Sequence, residues 1–432
     1  MRIVECLPPI AAAVFAVAMT VAPKNPPPVT TGVYAHYMPW FRAEPAEGGA
    51  IIWDHWQWFG KGPKHDPDDI LENGRRDIAS VYYPLIGPYH GRDPAVLEYH
   101  MLTARAAGIA GFIADWYGPG GYSDLVFGDM VKAAERYGMK AAICLEEKTF
   151  FPGYAEVSSR ADVLNVMEKQ MRHVVETHGR SPAYLRWDGA LVFFVFNYWG
   201  NGALGPNQLS PEEVREVLGR FDEPIVLVRG GADPAYFEAA RGSYVWCLSA
   251  PERAAFYKEA GVAFAAGNLR YWVGGVSPGF DDTGVWGWGN GPRKTDRRGT
   301  DEYRDAWNQL LEYRPSAVQV ITWNDFGEGT VIEPTEEFEF TFLDLTEEFI
   351  GRFSGRPVRA GDNRWPLRIH RMRKLVEKLP EASRPDWNEA LDSMAMNVAM
   401  GRRFFMGWKL RRLESRIGRA VDQLSDRTAE EP

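Results

Sequence analysis

The sequence predicts an α/β fold, a (β/α)8 TIM barrel with long βα loops and a C-terminal helical extension. Short apolar runs alternate with longer mixed segments from residue 33 to residue 323. Runs such as Leu191–Asn197 are apolar almost throughout, as parallel strands buried on both faces are. Roughly eight such units over about 320 residues suit a barrel. A doubly wound open sheet is the alternative, but no glycine-rich phosphate turn follows the first run.

Nine apolar runs are candidate strands, one more than an eight-stranded barrel needs. They are Val33–Pro39, Ser80–Ile86, Ile109–Trp116, Lys140–Leu145, Leu191–Asn197, Ile225–Val228, Tyr244–Leu248, Leu269–Val273 and Val318–Trp323. The helical segments between them are Pro94–Ala107, Leu125–Tyr137, Ala161–His178, Pro211–Phe221, Pro251–Ala260 and Thr300–Tyr313. Several of these begin at proline or a capping residue and end at glycine, as helices commonly do. One of the nine runs is therefore misread as a strand or lies outside the barrel.

The N-terminus predicts export. No residue is charged from Cys6 to Pro23, and residues 1–22 are interpreted as a signal peptide. A proline-rich linker over residues 23–31 then leads into the barrel, residues 32–352. The expected location is secreted or periplasmic. An uncleaved anchor and an unstructured extension are the alternatives.

Residues 353–432 form the predicted helical extension, with Asn388–Leu424 as helix. Within Gly401–Ala420 there are six Arg, one Lys and one Glu, interleaved with aromatic residues such as Phe404 and Trp408. A basic amphipathic helix of this kind can lie on an anionic membrane surface. The alternative is a helix that packs its aromatic stripe against the barrel.

Composition excludes several functional classes. The 58 acidic residues exceed the 49 Lys and Arg, giving a net charge of −9, which argues against nucleic-acid binding. Three scattered cysteines and eight histidines without paired spacing predict no metal site, and no cofactor is expected. Sixteen Trp within 13% aromatic residues suit stacking on sugars, but large barrels also bury such rings.

Acidic and aromatic residues recur where the predicted strands end, which is the catalytic end of a barrel. Asp325 and Glu328 follow the last strand, and Gly327 and Gly329 permit a turn that brings them together. One protonated and one ionised carboxyl are what cleavage of a glycosidic bond requires. We therefore predict Glu328 and Asp325 as catalytic residues.

The remaining candidates are predicted to bind a polysaccharide or oligosaccharide. They are Glu146, Trp116, Tyr34, His36, Tyr83, Trp199, Trp323, Asn324, Asp282 and Glu333. Few cations stand among them, which disfavours phosphorylated substrates.

The segment Ile321–Pro334, with its Trp-Asn-Asp-Phe-Gly-Glu-Gly core, resembles the signature of glycoside hydrolase family 99 and of its relative, family 71. Tyr82–Tyr89, Asp115–Pro119 and Ser277–Asp282 support the resemblance in the same order. The resemblance implies a TIM barrel and a metal-free, retaining α-mannosidase or α-mannanase.

The resemblance also implies residue roles. Glu328 matches the general acid/base, Glu146 a sugar-contacting carboxylate, and Trp116 a platform near the −1 subsite. Asp325 matches the residue that assists the substrate's 2-hydroxyl, where family 99 has Glu. The Asp-Phe-Gly-Glu order is similar to family 71, whose members cut α-1,3-glucan, so linkage and mechanism stay open.

The sequence thus predicts a glycoside hydrolase that cleaves α-linked polysaccharide or oligosaccharide, mannan- or glucan-like, by endo action with retention. A catalytically silent carbohydrate-binding protein, or a cell-envelope polysaccharide assembly protein, on the same barrel is the alternative. The oligomeric state stays open.

Overall fold

A computed structural model describes residues 32–197, 208–355, 357–358, 362–402 and 404–430. Eight parallel strands pair in sequence order, and the eighth pairs with the first. They are β1 (Val33–Tyr37), β2 (Gly111–Trp116), β3 (Lys140–Glu146), β4 (Ala190–Phe196), β5 (Ile225–Gly230), β6 (Arg241–Tyr244), β7 (Tyr271–Val276) and β8 (Ala317–Val320). The predicted eight-stranded barrel is confirmed.

One helix follows each strand. These are α1 (Pro94–Ala106), α2 (Tyr122–Tyr137), α3 (Arg160–His178), α4 (Pro211–Leu218), α5 (Phe237–Ala240), α6 (Ala250–Ala265), α7 (Asp301–Tyr313) and α8 (Thr341–Ser354). Ser159 and Ser210 close capping boxes at the starts of α3 and α4, and so satisfy backbone N–H groups that a helix leaves unpaired. Three further helices follow: α9 (Trp365–Val376), α10 (Arg384–Ala399) and α11 (Met406–Glu430).

Side chains alternate between the two sides of the barrel wall. One apolar cluster fills the interior and includes Ile113, Cys144, Phe194 and Val228. Their neighbours along the same strands, Phe112, Ile143, Phe193 and Leu227, pack outward against the helices. Because the period of a strand is two residues, this alternation also decides which residues at the strand ends enter the central cleft.

The run Ser80–Ile86 is the one that lies outside the barrel. It belongs to the long connection between β1 and α1, and its backbone bonds to the chain beyond β8, through Leu85 N–H to Pro334 O. Its apolar residues cover a small separate core in which Phe41, Trp56 and Phe326 are buried. The prediction of a strand here is wrong because burial under a loop produces the same apolar run.

Two other boundaries differ from expectation. β6 covers Arg241–Tyr244 rather than Tyr244–Leu248, since its polar Arg241-Gly242-Ser243 start does not read as a buried strand. The predicted helix Asn388–Leu424 is two helices, α10 and α11. The chain turns between them where Gly401 and Phe405 take positive φ values of 64° and 59°.

The C-terminal helices pack against the barrel through α1. Arg373 of α9 bonds both carboxylate oxygens of Glu98 at 2.8–2.9 Å, and its neighbour Lys374 pairs with Asp93. Leu410 and Ile417 of α11 are fully buried. The alternative of a helix that packs its aromatic stripe on the barrel is wrong in that detail, because Phe404 and Trp408 are exposed and α11 instead packs its aliphatic face on α9 and α10. Among the described residues, every helix is too short or too polar to cross a bilayer.

Candidate active site

Four carboxyl groups meet at the carboxyl ends of the strands. Asp115 and Glu146 end β2 and β3 at inward positions, in register with Cys144 and Phe196 of the next strands. Asp325 and Glu328 follow β8. The charge of Asp325 helps to raise the pKa of Asp115, so the two carboxyls lie near each other. The barrel thus collects acidic groups from three strands in a single cleft.

A tight turn after β8 brings the two predicted catalytic residues together. The Asp325 N–H donates to Thr322 Oγ1 at 2.8 Å, and Asp325 Oδ1 accepts the Glu328 N–H at 2.9 Å. Gly329 has φ 60°, and a Cβ there would stand 2.7 Å from the carbonyl oxygen of Asp281. Glycine is therefore required where the turn meets the neighbouring loop.

Glu328 is the member of the pair that reaches the open cleft. The Glu328 side chain is 19% exposed. Asp325, counted as a whole residue, is only 1% exposed. Trp288 Nε1 donates to Glu328 Oε1 at 3.2 Å, and Arg293 Nη2 lies 3.6 Å from the same oxygen. These two contacts fix the carboxyl at the mouth of the cleft.

Burial raises the pKa of both carboxyl groups. For Glu328, the Trp288 N–H and the Arg293 charge offset part of the increase in pKa. For Asp325, burial is the larger cause and repulsion from Glu328 is the next. Together they raise the pKa of Asp325 well above its usual range. Two buried, adjacent carboxyls resist double ionisation. The pair therefore holds a proton at pH values at which an exposed carboxyl is fully ionised.

Asp282 acts on this pair through Arg293 rather than on a substrate. Its side chain is fully buried, Oδ1 accepts the backbone N–H of Arg293, and Oδ2 accepts from Nε at 2.7 Å. The loop between them places Trp286 and Trp288 at positive φ values of 47° and 54°. The prediction that Asp282 binds substrate is wrong, because both its oxygens hold the arginine beside Glu328.

His36 lies at the floor of the cleft. Its Nδ1 faces the amide nitrogen of Gln319 at 2.9 Å, and its ring stands 4.6 Å from that of Trp246. An amide nitrogen only donates, so Nδ1 accepts and the proton of the neutral ring sits on Nε2. Burial lowers the pKa of His36 to about 3. The floor is thus an uncharged hydrogen-bonding group.

Two acidic residues stand over this floor. Asp115 and Glu146 are 3% and 4% exposed. The pKa of Asp115 is raised well above its usual range. Burial is the largest cause, and the charge of Glu146 and a hydrogen bond with it add to the increase. Lys148 Nζ lies 3.8 Å from Glu146 Oε2. We interpret Asp115 and Glu146 as a carboxyl pair that shares a proton, which can both donate to and accept from sugar hydroxyls.

Ligand atoms of His36, Asp115 and Cys144 lie within 4.8 Å of one another. A cysteine binds metal as its thiolate. Burial and the charges of Asp115 and Glu146 raise the pKa of the Cys144 thiol well above its usual range. This cluster of described residues is therefore poorly suited to a thiolate-ligated metal.

Aromatic rings form one wall of the cleft. Trp40 stacks on His55 with ring centroids 4.6 Å apart, and its edge faces Tyr117 at 6.2 Å. Lys148 Nζ lies 4.8 Å from the Tyr117 ring centroid. The charges of Asp115, Glu146 and Asp325 all help to raise the pKa of Tyr117, after burial itself. Tyr117 therefore lies near three of the four carboxyls.

Trp116 and Trp323 do not line the cleft. Both are fully buried in the outer core, between the strands and the helices. Trp116 Nε1 donates to Asp124 of α2, and Trp323 packs against Phe112. The predictions for these two residues are wrong because alternation turns Asp115 inward and Trp116 outward.

Asn324 and Glu333 are buried behind the site, where they hydrogen-bond other parts of the protein. Asn324 Oδ1 accepts the Met38 N–H at 2.7 Å, and its Nδ2 donates to the Met38 carbonyl at 3.0 Å. Glu333 accepts from Tyr89 Oη at 2.9 Å and lies 3.2 Å from His100 Nε2. The prediction that they bind substrate is wrong because their polar atoms are bonded within the protein: Asn324 joins the exits of β1 and β8, and Glu333 holds Tyr89 and His100.

Three other predicted residues lie elsewhere. Tyr34 belongs to the interior cluster with Trp187, which precedes β4, and so faces the amino-terminal end of the barrel; its prediction is also wrong. Tyr83 packs under Arg75 in the β1–α1 connection, where its N–H donates to Glu337. Trp199 lies outside the described residues.

The sequence reasoning did not select Asp115, Tyr117, Lys148, Trp288 or Arg293. Period-two alternation could have found Asp115, because Ile113 and Asp115 share a face of the strand that turns Trp116 away. The run Gly284–Gly291, with Trp286 and Trp288, can be read from the sequence as a loop that contacts sugar or as plain surface. Its contact with Glu328 cannot, because the loop reaches that residue through left-handed backbone conformations.

Comparisons with known proteins agree with this architecture. The profile of Glycosyl hydrolase family 99 matches residues 28–204. The glycoprotein endo-alpha-1,2-mannosidase of Rattus norvegicus is 24% identical over 341 residues, covering 71% of this chain and 68% of the relative. A glycoprotein endo-alpha-1,2-mannosidase-like protein of Homo sapiens is 25% identical over 341 residues, covering 71% and 69%.

The fold also matches solved structures. The GH99 endo-alpha-mannosidase from Bacteroides thetaiotaomicron superposes with a TM-score of 0.59 at 20% identity, covering 76% of this chain and 98% of that one. A glycoside hydrolase-like protein superposes with a TM-score of 0.51 at 14% identity, covering 76% and 98%. The resemblance to family 99 is confirmed, and the matches support glycoside hydrolase activity.

Proposed function

We propose that this chain, a relative of glycoside hydrolase family 99, cleaves α-mannosidic bonds within glycan chains. The observation that carries the proposal is the position of Glu328. It is a partly exposed carboxyl of raised pKa, held by Trp288 and Arg293 at the mouth of a cleft lined with further carboxyls. A carboxyl whose pKa is raised keeps its proton to higher pH and is suited to protonating a leaving oxygen.

In the proposed reaction, Glu328 gives its proton to the departing glycosidic oxygen. The resulting carboxylate then takes a proton from the water that completes hydrolysis, which returns Glu328 to its starting state. Asp325, fixed by its bond to the Glu328 N–H, orients or deprotonates the attacking group. With the substrate's own 2-hydroxyl as that group, two displacements at the anomeric carbon retain its configuration.

Asp325 is one methylene shorter than the glutamate that family 99 has at this position. The shorter side chain folds back on its own turn, where Oδ1 accepts a backbone N–H. Asp115 and Glu146 face Asp325 across the cleft, and in the proposed complex they hold sugar hydroxyls. We assign the mannose preference from the relatives, whose names specify endo-alpha-1,2-mannosidases.

Replacing Glu328 with glutamine tests the central role. Gln keeps the size of Glu and an oxygen that can accept from Trp288, but it has no carboxyl proton. We expect E328Q to lose about 10²–10⁴-fold in kcat on a linear α-1,2-linked mannan oligosaccharide, since general acid catalysis is worth that much. Binding of the oligosaccharide should change little. Product sizing by chromatography measures turnover, and titration calorimetry measures binding.

The matched control is Glu336→Gln, which removes an exposed carboxylate that pairs with Arg75 outside the cleft. It should keep full activity. Wild-type turnover in the E328Q variant would overturn the role of Glu328. If the wild-type chain binds mannan without cutting it, the carbohydrate-binding alternative holds. If it cuts only α-1,3-glucan, the family 71-like alternative holds.

The pH dependence of kcat/KM should have two limbs set by the carboxyl pair. The reaction needs one proton on the pair, so activity falls at low pH when both carboxyls are protonated and at high pH when both are ionised. The raised pKa values place both limbs above the range of an exposed carboxyl, which is about 4. In Trp288→Phe the anion of Glu328 loses an N–H donor, so its pKa rises further. The alkaline limb should move up by at most about one pH unit.

Trp58→Phe is the control for this shift. The Trp58 ring lies 6.0 Å from that of Trp288, but its N–H donates to the Lys61 carbonyl instead of a carboxyl. Both limbs should stay in place in that variant. An alkaline limb that moves down in Trp288→Phe would contradict the assignment of Glu328 as the acid.

The positions of Tyr117 and Trp116 give opposite expectations for binding. In an E328Q background, Tyr117→Ala should weaken binding of the α-mannan oligosaccharide about 10-fold, because a stacked ring contributes roughly 1–1.5 kcal/mol. Trp116→Phe should leave the affinity unchanged, since that ring lies outside the barrel. Calorimetry compares the two, and a larger loss in Trp116→Phe would show that the cleft wall is assigned wrongly.

We also propose that the protein is exported, because residues 1–22 have the composition of a signal peptide. An extracellular or periplasmic site would give the enzyme access to envelope or environmental glycans. N-terminal sequencing of the protein recovered outside the cytoplasm should begin near residue 23. A full-length N-terminus in the membrane fraction would support an uncleaved anchor instead.

A further inference from the structure

The turn between α10 and α11 exposes three large aromatic side chains. Phe404, Phe405 and Trp408 are 83%, 64% and 52% exposed. Single exposed apolar residues are ordinary on a protein surface, but adjacent aromatic rings are not. We name Phe404, Phe405 and Trp408, with the exposed cations Arg402, Lys409 and Arg412, the basic aromatic patch.

These residues lie in the turn before α11 and in its first two turns, and two pairs of them are in contact. The rings of Phe404 and Phe405 lie 4.4 Å apart, and the Phe405 carbonyl accepts the Lys409 N–H at 2.9 Å. One turn later, the Arg412 guanidinium stands 5.4 Å from the Trp408 ring. Met406 and Leu410, on the other side of the same turn, are buried. The helix therefore has an inner apolar face that packs on the protein and a separate outer face that does not.

The charge of the patch is opposite to that of the whole protein. From Met400 to Leu413 the sequence has five Arg or Lys and no Asp or Glu, in a chain of net charge −9. A cationic surface with projecting Trp and Phe side chains is the combination that binds anionic bilayers. The cations attract the headgroups, and the rings enter the interface between headgroups and acyl chains.

The position of the patch is compatible with an active enzyme. Arg105, in the last turn of α1, donates to the carbonyl oxygens of Ala399 and Gly138. Gly138 lies just before β3 begins, so α10 ends at the amino-terminal end of the barrel. The catalytic cleft opens at the carboxyl end of the strands. A bilayer under the patch would leave the cleft facing the opposite direction.

We propose that the basic aromatic patch docks the protein on an anionic lipid surface. The charge complementarity of the patch selects this partner over a second copy of the chain, which would place two strongly cationic surfaces face to face. The inference is independent of the proposed function, because it uses no residue of the cleft.

Sedimentation of the full chain with lipid vesicles tests the proposal. We expect binding to phosphatidylcholine vesicles that contain phosphatidylglycerol, weak binding to phosphatidylcholine alone, and loss of binding at high salt. The variant K409E/R412E should bind the anionic vesicles at least about 10-fold more weakly, since each cation near the surface contributes to the attraction. Phe404→Ser with Trp408→Ser should weaken binding without removing its salt dependence.

The control is K169E/K258E, which makes the same change in charge on the exposed faces of α3 and α6. It should bind as the wild type does. Circular dichroism and the melting temperature report the fold of every variant, so the result does not depend on catalytic activity. Equal binding by wild type and K409E/R412E, or no binding by wild type, would overturn the proposal. The proposal would also be overturned if the wild-type protein self-associates in solution and the patch variants do not.

Discussion

The alternation of side chains along parallel strands is the constraint on which the rest of the structure depends. At the end of β2 it sends Asp115 into the cleft, buries Trp116 outside the barrel, and leaves Tyr117 at the rim. The same rule places Glu146 inward at the end of β3. Because neighbouring strands are in register, their inward ends lie at one level. The acidic cleft is a consequence of that geometry rather than of proximity in the sequence.

Concentrating carboxyls in a buried cleft has an electrostatic cost, and the structure offsets it in two ways. Near the mouth, Arg293 and the Trp288 N–H stand beside Glu328, and Asp282 holds the arginine in place. At the floor, the neutral His36 adds no charge, and the raised pKa of Asp115 keeps a proton between the inner carboxyls. The difference between the two environments suits an outer group that exchanges protons and inner groups that bind hydroxyls.

The sequence predicted the barrel and the turn that brings Asp325 and Glu328 together because these depend on local patterns. Apolar runs, capping residues and the glycines around Glu328 can each be recognised from a few consecutive residues. The predictions for Trp323, Asn324 and Glu333 failed for a physical reason: a residue at a strand exit serves either the cleft or the packing behind it, and its type does not decide which. The high Trp content does not by itself indicate a sugar site either, since Trp53 and Trp56 of the β1–α1 connection are buried in its small core. The bond from Trp288 to Glu328 could not be predicted because it depends on the conformation of a loop distant in sequence.

The bond between Asn324 and the Met38 backbone joins positions 286 residues apart. During synthesis, β1 emerges early, but its partner β8 arrives only when nearly the whole barrel has been made. The wall that carries Trp40 and His55 exists first, without the turn that carries Glu328. Contacts this distant in sequence slow folding and favour assembly after release of the chain. A chain interrupted before residue 317 therefore contains most of the barrel wall but lacks the turn that carries Asp325 and Glu328.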